Sequence, residues 1–60
     1  MNNSQRIAMA RMHLNNGNLL AYKKMMRFNI TSAASEKSAQ VFQQAWIEDM
    51  PRIKQMENQL

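Results

Sequence analysis

The chain has 60 residues, no cysteine, one histidine and a net charge of +4, with eight lysine and arginine residues against four acidic ones. A chain this short buries only about 60% of its unfolded surface, so its core needs support from disulfides, a metal or a partner copy. The absence of cysteine excludes disulfides and thiolate metal sites, and the usual ligand set of a zinc site cannot be assembled. Oligomerisation remains, and we expect residues 1–60 to form one small domain that pairs with a second copy.

Composition also bears on location and partners. No wholly apolar run in the sequence approaches the ~20 residues that span a bilayer. The opening Met1–Ser4 lacks the apolar region of a signal peptide, and the lack of cysteine fits a reducing compartment. We therefore expect a soluble, cytoplasmic protein with no membrane partner. The positive charge favours acidic partners or nucleic acid, and the methionine-rich composition suits either a gap-filling core or an adaptable surface.

A first helix is predicted over about residues 4–16. Ser4 is a suitable N-cap. Apolar residues then recur at helical spacing, at Ile7, Ala10 and Leu14. The run Asn15-Asn16-Gly17-Asn18 is the strongest turn signal, and Gly17 suits the residue after a helix end. Because the helical phase also continues beyond Gly17, a single helix reaching about residue 24 is the alternative.

The segment Met26–Thr31 alternates apolar and polar residues without exception. Such alternation, with Phe, Ile and Thr among the residues, is typical of a half-buried strand, which we predict over about 26–30. The prediction assigns no second strand to the chain, and a lone strand leaves its backbone groups unpaired. The simplest partner is the same strand of a second copy, antiparallel across a two-fold axis. An extended linker or a frayed helix end is the alternative.

The last helix is predicted over about residues 32–58, with Thr31 and Ser32 as N-cap candidates. Its apolar stripe follows heptad-like steps, at Ala39, Phe42, Trp46, Ile53, Met56 and Leu60. Asp49 occupies the missing position of this stripe. Pro51 removes one helical hydrogen bond and should kink the helix, with a break into two collinear helices as the alternative. The predicted fold is therefore mainly α with one short strand, a helix–strand–helix subunit that pairs as a homodimer.

The sequence lacks the combinations of residues that catalysis usually requires. His13 stands alone, without a nucleophile or a partner base near it in the chain. Glu48 and Asp49 point about 100° apart on a helix, so they do not face each other. The single glycine excludes a glycine-rich phosphate loop. We expect a protein that is not an enzyme and that binds no cofactor or metal.

Apolar residues predict two protein–protein surfaces. The candidates for the dimer interface are Met26, Phe28, Ile30 and Phe42. Any part of the last helix left uncovered would form a cleft for an amphipathic helix of a partner protein. The candidates for this cleft are Trp46, Met50, Ile53 and Met56. Alternatively, the whole stripe is core and the dimer has no separate binding site.

A β-ribbon that binds nucleic acid is the second functional hypothesis. Its candidate residues are Lys23, Lys24, Arg27 and Asn29. Arginine and asparagine pair with guanine and adenine edges, and a two-stranded ribbon fits the major groove. The pattern departs from the ribbon-helix-helix family, in which the strand comes first and a glycine-containing turn joins the helices. A small dimeric DNA-binding regulator is therefore the less favoured hypothesis.

One family resemblance extends over nearly the whole chain. The opening Asn-Asn-Ser-Gln-Arg-Ile-Ala-Met-Ala-Arg, the methionine-rich core and the strand-capped helix resemble the open-reading-frame sixty-three early proteins of lambda and related lambdoid phages, including Shiga-toxin-converting phages. The likeness is general and includes no catalytic or binding motif. It implies an intertwined homodimer of helix–strand–helix subunits. It also implies an early regulatory role in the host cytoplasm that favours lytic development, without enzymatic activity or a cofactor and with an open molecular target.

Overall fold

The computed structural model describes residues 1–59. Three helices follow one another: α1 (Asn3–Asn15), α2 (Leu19–Thr31) and α3 (Glu36–Asn58). The prediction of a mainly helical fold is confirmed. Leu60, the last residue of the predicted stripe, lies outside the described residues.

Helix α1 begins one residue earlier than predicted, and its N-cap is Asn2 rather than Ser4. The side-chain oxygen of Asn2 accepts from the backbone N–H of Gln5 at 2.8 Å. The side chain of Gln5 in turn accepts from the backbone N–H of Asn2 at 2.9 Å. This reciprocal capping box satisfies two backbone donors at once. Asn2 is therefore the N-cap, and Ser4 lies in the first turn of the helix.

The predicted break at Gly17 is confirmed, and the single longer helix does not form. Gly17 has a φ of +77°, the left-handed conformation that glycine adopts at low cost. The N–H groups of Gly17 and Asn18 donate to the carbonyls of Leu14 and His13, at 3.1 and 2.8 Å, in a Schellman arrangement. The side chain of Asn18 then accepts from the N–H of Ala21 at 3.2 Å and caps α2.

The prediction of a strand over 26–30 is wrong, because these residues form the second half of α2. Tyr22, Met26 and Ile30 recur four residues apart, so they continue one face of a helix. Met26 is fully buried, whereas the side chain of Phe28 is 65% exposed. A strand would have placed Met26 and Phe28 on the same face. The argument for a dimer that was based on pairing of this strand therefore no longer holds.

Thr31 and Ser32 close α2 instead of opening the next helix. The Thr31 hydroxyl donates to the carbonyl of Arg27 at 3.0 Å, and the Ser32 hydroxyl donates to that of Phe28 at 2.6 Å. These bonds satisfy carbonyls at the C-terminal end of the helix. The cap of α3 is Ser35, whose hydroxyl oxygen accepts from the N–H of Ser38 at 3.1 Å. The last helix therefore begins at Glu36 and not near residue 32.

Helix α3 continues through Pro51 to Asn58 as one helix, so the alternative of two collinear helices does not apply. Pro51 has no N–H, and the carbonyl of Ile47 therefore lacks its helical donor. Asp49 does not cap a second helix here. Its side chain is buried in the bundle.

The three helices run up, down and up. Side-chain hydrogen bonds connect α1 to α3 at three levels, Asn3–Ser38 at 3.2 Å, Arg11–Asp49 at 3.0 Å and Asn15–Arg52 at 2.6 Å. The separation along the chain is nearly constant at 35, 38 and 37 residues. Helices α1 and α3 are therefore parallel to each other, and α2 is antiparallel to both.

The core lies along the axis of this bundle. Its buried apolar residues are Ala10, Leu14, Tyr22, Met26, Phe42, Ala45 and Ile53. Among the predicted stripe residues, Phe42 and Ile53 are buried, and Trp46 and Met56 pack partly against the core. Within residues 1–59, no helix has the length and apolar character needed to cross a bilayer.

Candidate functional site

The buried carboxylate of Asp49 connects all three helices. Asp49 Oδ2 accepts from Arg11 Nε at 3.0 Å and from the Tyr22 hydroxyl at 2.5 Å. Arg11 also reaches Glu48 Oε1 through Nη2 at 3.3 Å. A buried charge requires such partners because water no longer solvates it. We refer to Arg11, Tyr22 and Asp49 as the three-helix joint.

The joint holds its donors in their protonated forms. The hydrogen bond to Asp49 is the main cause that raises the pKa of Arg11. Burial, followed by the hydrogen bond to Asp49, raises the pKa of Tyr22. Both shifts raise the pH at which the group loses its proton, which suits a structural contact better than proton transfer.

The joint also sets the position of Trp46. The rings of Tyr22 and Trp46 stack with centroids 5.7 Å apart and an angle of 12° between their planes. Because the hydroxyl of Tyr22 is held by Asp49, the ring against which Trp46 packs has a fixed orientation. Trp46 therefore stacks on a ring that a hydrogen bond holds in place.

Trp46 lies in an open groove between α2 and α3, which we call the α2–α3 groove. Its lining residues are Lys23, Arg27, Ile30, Thr31, Gln43, Trp46 and Ile47. The groove has a volume of about 610 Å³, within the range of about 300–1,000 Å³ typical of ligand sites. Ile47 is 60% exposed and extends the apolar surface outward from Trp46.

The border of the α2–α3 groove is basic. Lys23 pairs with Glu57 at 3.2 Å. Arg27, one turn further along α2, has no ion pair within residues 1–59. The groove thus combines an apolar floor with at least one cation that is available to an acidic partner.

A second groove lies between α1 and α2, on a different side of the bundle. We call it the α1–α2 groove, and its lining residues are Met1, Arg6, Met9, Met25, Phe28 and Asn29. Asn29 is only 4% exposed, and its Nδ2 has no hydrogen-bond partner within residues 1–59. Phe28 is the largest exposed apolar side chain of this groove.

The four residues predicted to form a partner-binding cleft do not lie together at the surface. Ile53 is buried in the core. Met50 and Met56 are partly buried and pack against that core. Of the four, Trp46 alone lines the α2–α3 groove. The stripe therefore serves mainly as core, and the groove is completed by Ile30 and Ile47.

The four predicted dimer-interface residues are also divided. Met26 and Phe42 are fully buried within one chain, so they are not available to a second copy. Ile30 lines the α2–α3 groove, and Phe28 lines the α1–α2 groove. The reason is again the helical period of α2, which distributes alternate residues around its circumference.

The residues of the nucleic-acid hypothesis separate in the same way. Lys23 and Arg27 share the α2–α3 groove, and Lys24 is exposed on α2. Asn29 is buried, so it cannot reach a base edge as a surface residue would. Since α2 is helical, the β-ribbon on which this hypothesis depended does not form.

Within residues 1–59, no cluster of three or more His, Cys, Asp or Glu side chains could hold a metal ion. Comparisons of the chain with protein-family models, with curated proteins and with solved structures found no match.

Proposed function

We propose that this chain is a non-enzymatic interaction protein whose α2–α3 groove binds an acidic amphipathic helix of a partner protein. The observation that carries the proposal is the exposed Ile47 next to Trp46, with Arg27 at the border of the same groove. Apolar anchors of a helix would pack on Ile47 and Trp46 in the helix-in-groove mode. Acidic residues beside those anchors would face Arg27.

Preorganisation supports this choice. Tryptophan is among the residues that most often dominate binding energy at protein interfaces. Trp46 is stacked on Tyr22, whose hydroxyl is held by Asp49. A side chain that is already ordered loses less conformational entropy on binding. The charge of Arg27 would mainly increase the association rate and select against basic partners.

The biological setting is proposed from the family resemblance. Similarity to the open-reading-frame sixty-three proteins of lambdoid phages supports an early regulatory role that favours lytic development. The partner would then be a host or phage protein in the host cytoplasm. The net charge of +4 agrees with an acidic partner.

We also propose that the protein acts as a homodimer. The support is its short chain and the large apolar side chains that it leaves exposed outside both grooves, among them Met12 and Leu20. These two residues flank the turn at Gly17 in the sequence. Sedimentation equilibrium at micromolar concentration should show a dimer, and Leu20→Lys should shift it towards monomer. A monomeric parent protein at that concentration would contradict the dimer.

The groove proposal is tested by affinity capture from infected host cells. Ile47→Asn and Arg27→Gln change exposed side chains, so both variants should fold. We expect both to lose a captured protein that the parent retains and to weaken the effect on lysis. Val41→Asn on the same helix is the matched control, because Val41 is exposed but does not line this groove.

Two results would overturn the groove proposal. One is capture of the same proteins by Ile47→Asn, Arg27→Gln and the parent. The other is a gel shift of phage DNA at low salt that Arg27→Gln weakens while Ile47→Asn does not. That second pattern is the signature of phosphate contacts and would favour the DNA-binding alternative.

A further inference from the structure

Helices α1 and α2 contain no acidic residue, although five of the basic residues lie on them. The four aspartate and glutamate residues of the chain all lie on α3. Two of the five basic residues are paired with acidic residues of α3, whereas Arg6, Lys24 and Arg27 have no ion pair within residues 1–59. The α1–α2 pair therefore carries positive charge that no neighbouring carboxylate compensates.

The same part of the chain exposes large apolar side chains beside these charges. Met1, Met9 and Phe28 are 73%, 40% and 65% exposed, and all three line the α1–α2 groove together with Arg6. Lys24 lies one helical turn before Phe28 on α2, so the two side chains share a face of the helix. We call Met1, Arg6, Met9, Lys24 and Phe28 the hairpin patch.

The hairpin patch protrudes and does not form a deep pocket. The α1–α2 groove has a volume of about 260 Å³, below the range of about 300–1,000 Å³ typical of ligand sites. Apolar side chains that protrude need a partner surface that closes around them. The boundary between lipid head groups and acyl chains is fluid, and amphipathic surfaces that combine aromatic or aliphatic residues with lysine and arginine lie in it. Contiguous exposed apolar side chains are also typical of membrane-contact sites.

We propose that the hairpin patch binds the surface of a membrane that contains anionic lipid. Met1, Met9 and Phe28 enter the boundary between head groups and acyl chains, and Arg6 and Lys24 contact the lipid phosphates. Within residues 1–59 no helix can cross a bilayer, so this contact is peripheral. The expectation of no membrane partner rests on the lack of a spanning segment and of a signal peptide, and it does not cover a contact of this kind.

Charge makes a second copy an unsuitable occupant of the hairpin patch. Two patches that face each other across a two-fold axis would bring Arg6 and Lys24 close to their own copies, and like charges repel. The homodimer proposed above uses Met12 and Leu20, which are not part of the patch. A nucleic acid would attract the same cations through its phosphates, but the exposed Phe28 would contribute little to such a contact.

Co-sedimentation of the full chain with vesicles tests the proposal. Vesicles of phosphatidylglycerol mixed with phosphatidylcholine should bind the protein, and vesicles of phosphatidylcholine alone should bind it more weakly. Lys24→Gln should lower the affinity for the anionic vesicles about fivefold, the scale of one basic residue at a charged lipid surface. Lys54→Gln is the matched control and should change the affinity less, because Lys54 is exposed on α3 and the two variants have the same net charge.

Phe28→Ala tests the apolar part of the contact. Loss of the ring should lower the affinity for anionic vesicles about tenfold. Ile47→Asn removes an apolar side chain of similar exposure from α3 and should leave this affinity unchanged. Because Ile47 lines the α2–α3 groove, the two variants also separate lipid binding from the partner contact proposed above. Circular dichroism checks that both exposed substitutions leave the helices intact.

Methyl NMR in bicelles of the same anionic mixture, with a spin-labelled lipid added, locates the contact. The Met9 methyl signal should broaden, whereas that of Met50, which packs against the core, should not. Failure to bind anionic vesicles, or an affinity that Phe28→Ala leaves unchanged, would overturn the proposal. Equal losses in Lys24→Gln and Lys54→Gln would also overturn it, because net charge alone would then explain the binding. A Met9 methyl that responds to phage DNA or to a leucine–glutamate helical peptide, and not to lipid, would assign the patch to that partner instead.

Discussion

Arg11 on α1 and Asp49 on α3 share a 3.0 Å hydrogen bond at the level where Tyr22 on α2 donates to the same carboxylate. One buried side chain is thereby in contact with both other helices. The exposed partner Glu48 is secondary, since its side chain is 58% accessible. The contribution of the joint to stability should therefore be concentrated in Asp49.

Replacement of Asp49 by alanine should destabilise the fold more than any exposed ion-pair substitution. It leaves the Tyr22 hydroxyl and Arg11 without their acceptor, which should lower the free energy of unfolding by about 2–3 kcal/mol. Glu48→Ala removes an exposed ion pair and should cost less than about 1 kcal/mol. Urea unfolding followed by circular dichroism measures both values. Equal losses in the two variants would show that Asp49 is not the centre of the contact.

The raised pKa of Tyr22 predicts a loss of stability at high pH. Since the folded form holds the phenol proton to a higher pH than the unfolded form, the contribution is fully present below pH ~10 and is lost as pH rises above it. The free energy of unfolding should fall by at most about 1.4 kcal/mol per pH unit in that range. Tyr22→Phe should lack this slope, whereas deprotonation of lysines affects both proteins alike. Tyr22 is the one tyrosine of the chain, so tyrosinate absorbance follows it directly; a midpoint near pH 10 in the folded protein would contradict the prediction.

Met26 and Phe28 distinguish the observed helix from the predicted strand. Met26→Ala creates a cavity in the core and should cost about 2–5 kcal/mol. Phe28→Ala removes a mostly exposed ring and should change stability by less than about 1 kcal/mol. In a strand the two residues would share a face and respond alike. Denaturant midpoints of the two variants measure the difference.

In the turn between α1 and α2, a side chain at Gly17 should lower stability through the backbone conformation and not through a steric clash. A Cβ at Gly17 would meet no atom within 4 Å, but the φ of +77° is unfavourable for a side chain. Gly17→Ala should therefore cost about 1–2 kcal/mol. Gly17→Asn should cost less, because asparagine tolerates this conformation better than alanine. Asn16→Ala is the control, since Asn16 has a φ of −89°; a loss of stability as large as that of Gly17→Ala would point to a different cause.

Those parts of the fold that have a local signal were predictable from the sequence. Gly17 has the residue type that a left-handed turn requires, and the heptad-like steps from Phe42 to Ile53 mark the buried side of α3. The strand prediction failed because Met26–Thr31 fits two periods at once. Met26 and Ile30 are also one helical turn apart, and Asn29, a polar residue, turns inward with them. Packing against residues that are distant in the chain decides between the strand period and the helix period. The sequence of Met26–Thr31 alone does not show which of the two applies.

The candidate sites were predictable only in part for a related reason. Trp46 was identified by its residue type, and Asp49 stood out as the polar position in an apolar stripe. Its partners Arg11 and Tyr22 lie 38 and 27 residues away along the chain. A single sequence does not show which distant polar residues meet. The orphaned amide of Asn29 depends on the same long-range packing.

The parallel arrangement of α1 and α3 has a consequence for the order of folding. The α1–α2 turn closes over a few residues, whereas the hydrogen bonds between α1 and α3 span 35 to 38 residues. Closing a longer loop costs more chain entropy, and contacts between distant residues slow folding. We therefore expect the α1–α2 hairpin to form before α3 docks on it. Substitutions in the three-helix joint should then accelerate unfolding while leaving the refolding rate nearly unchanged.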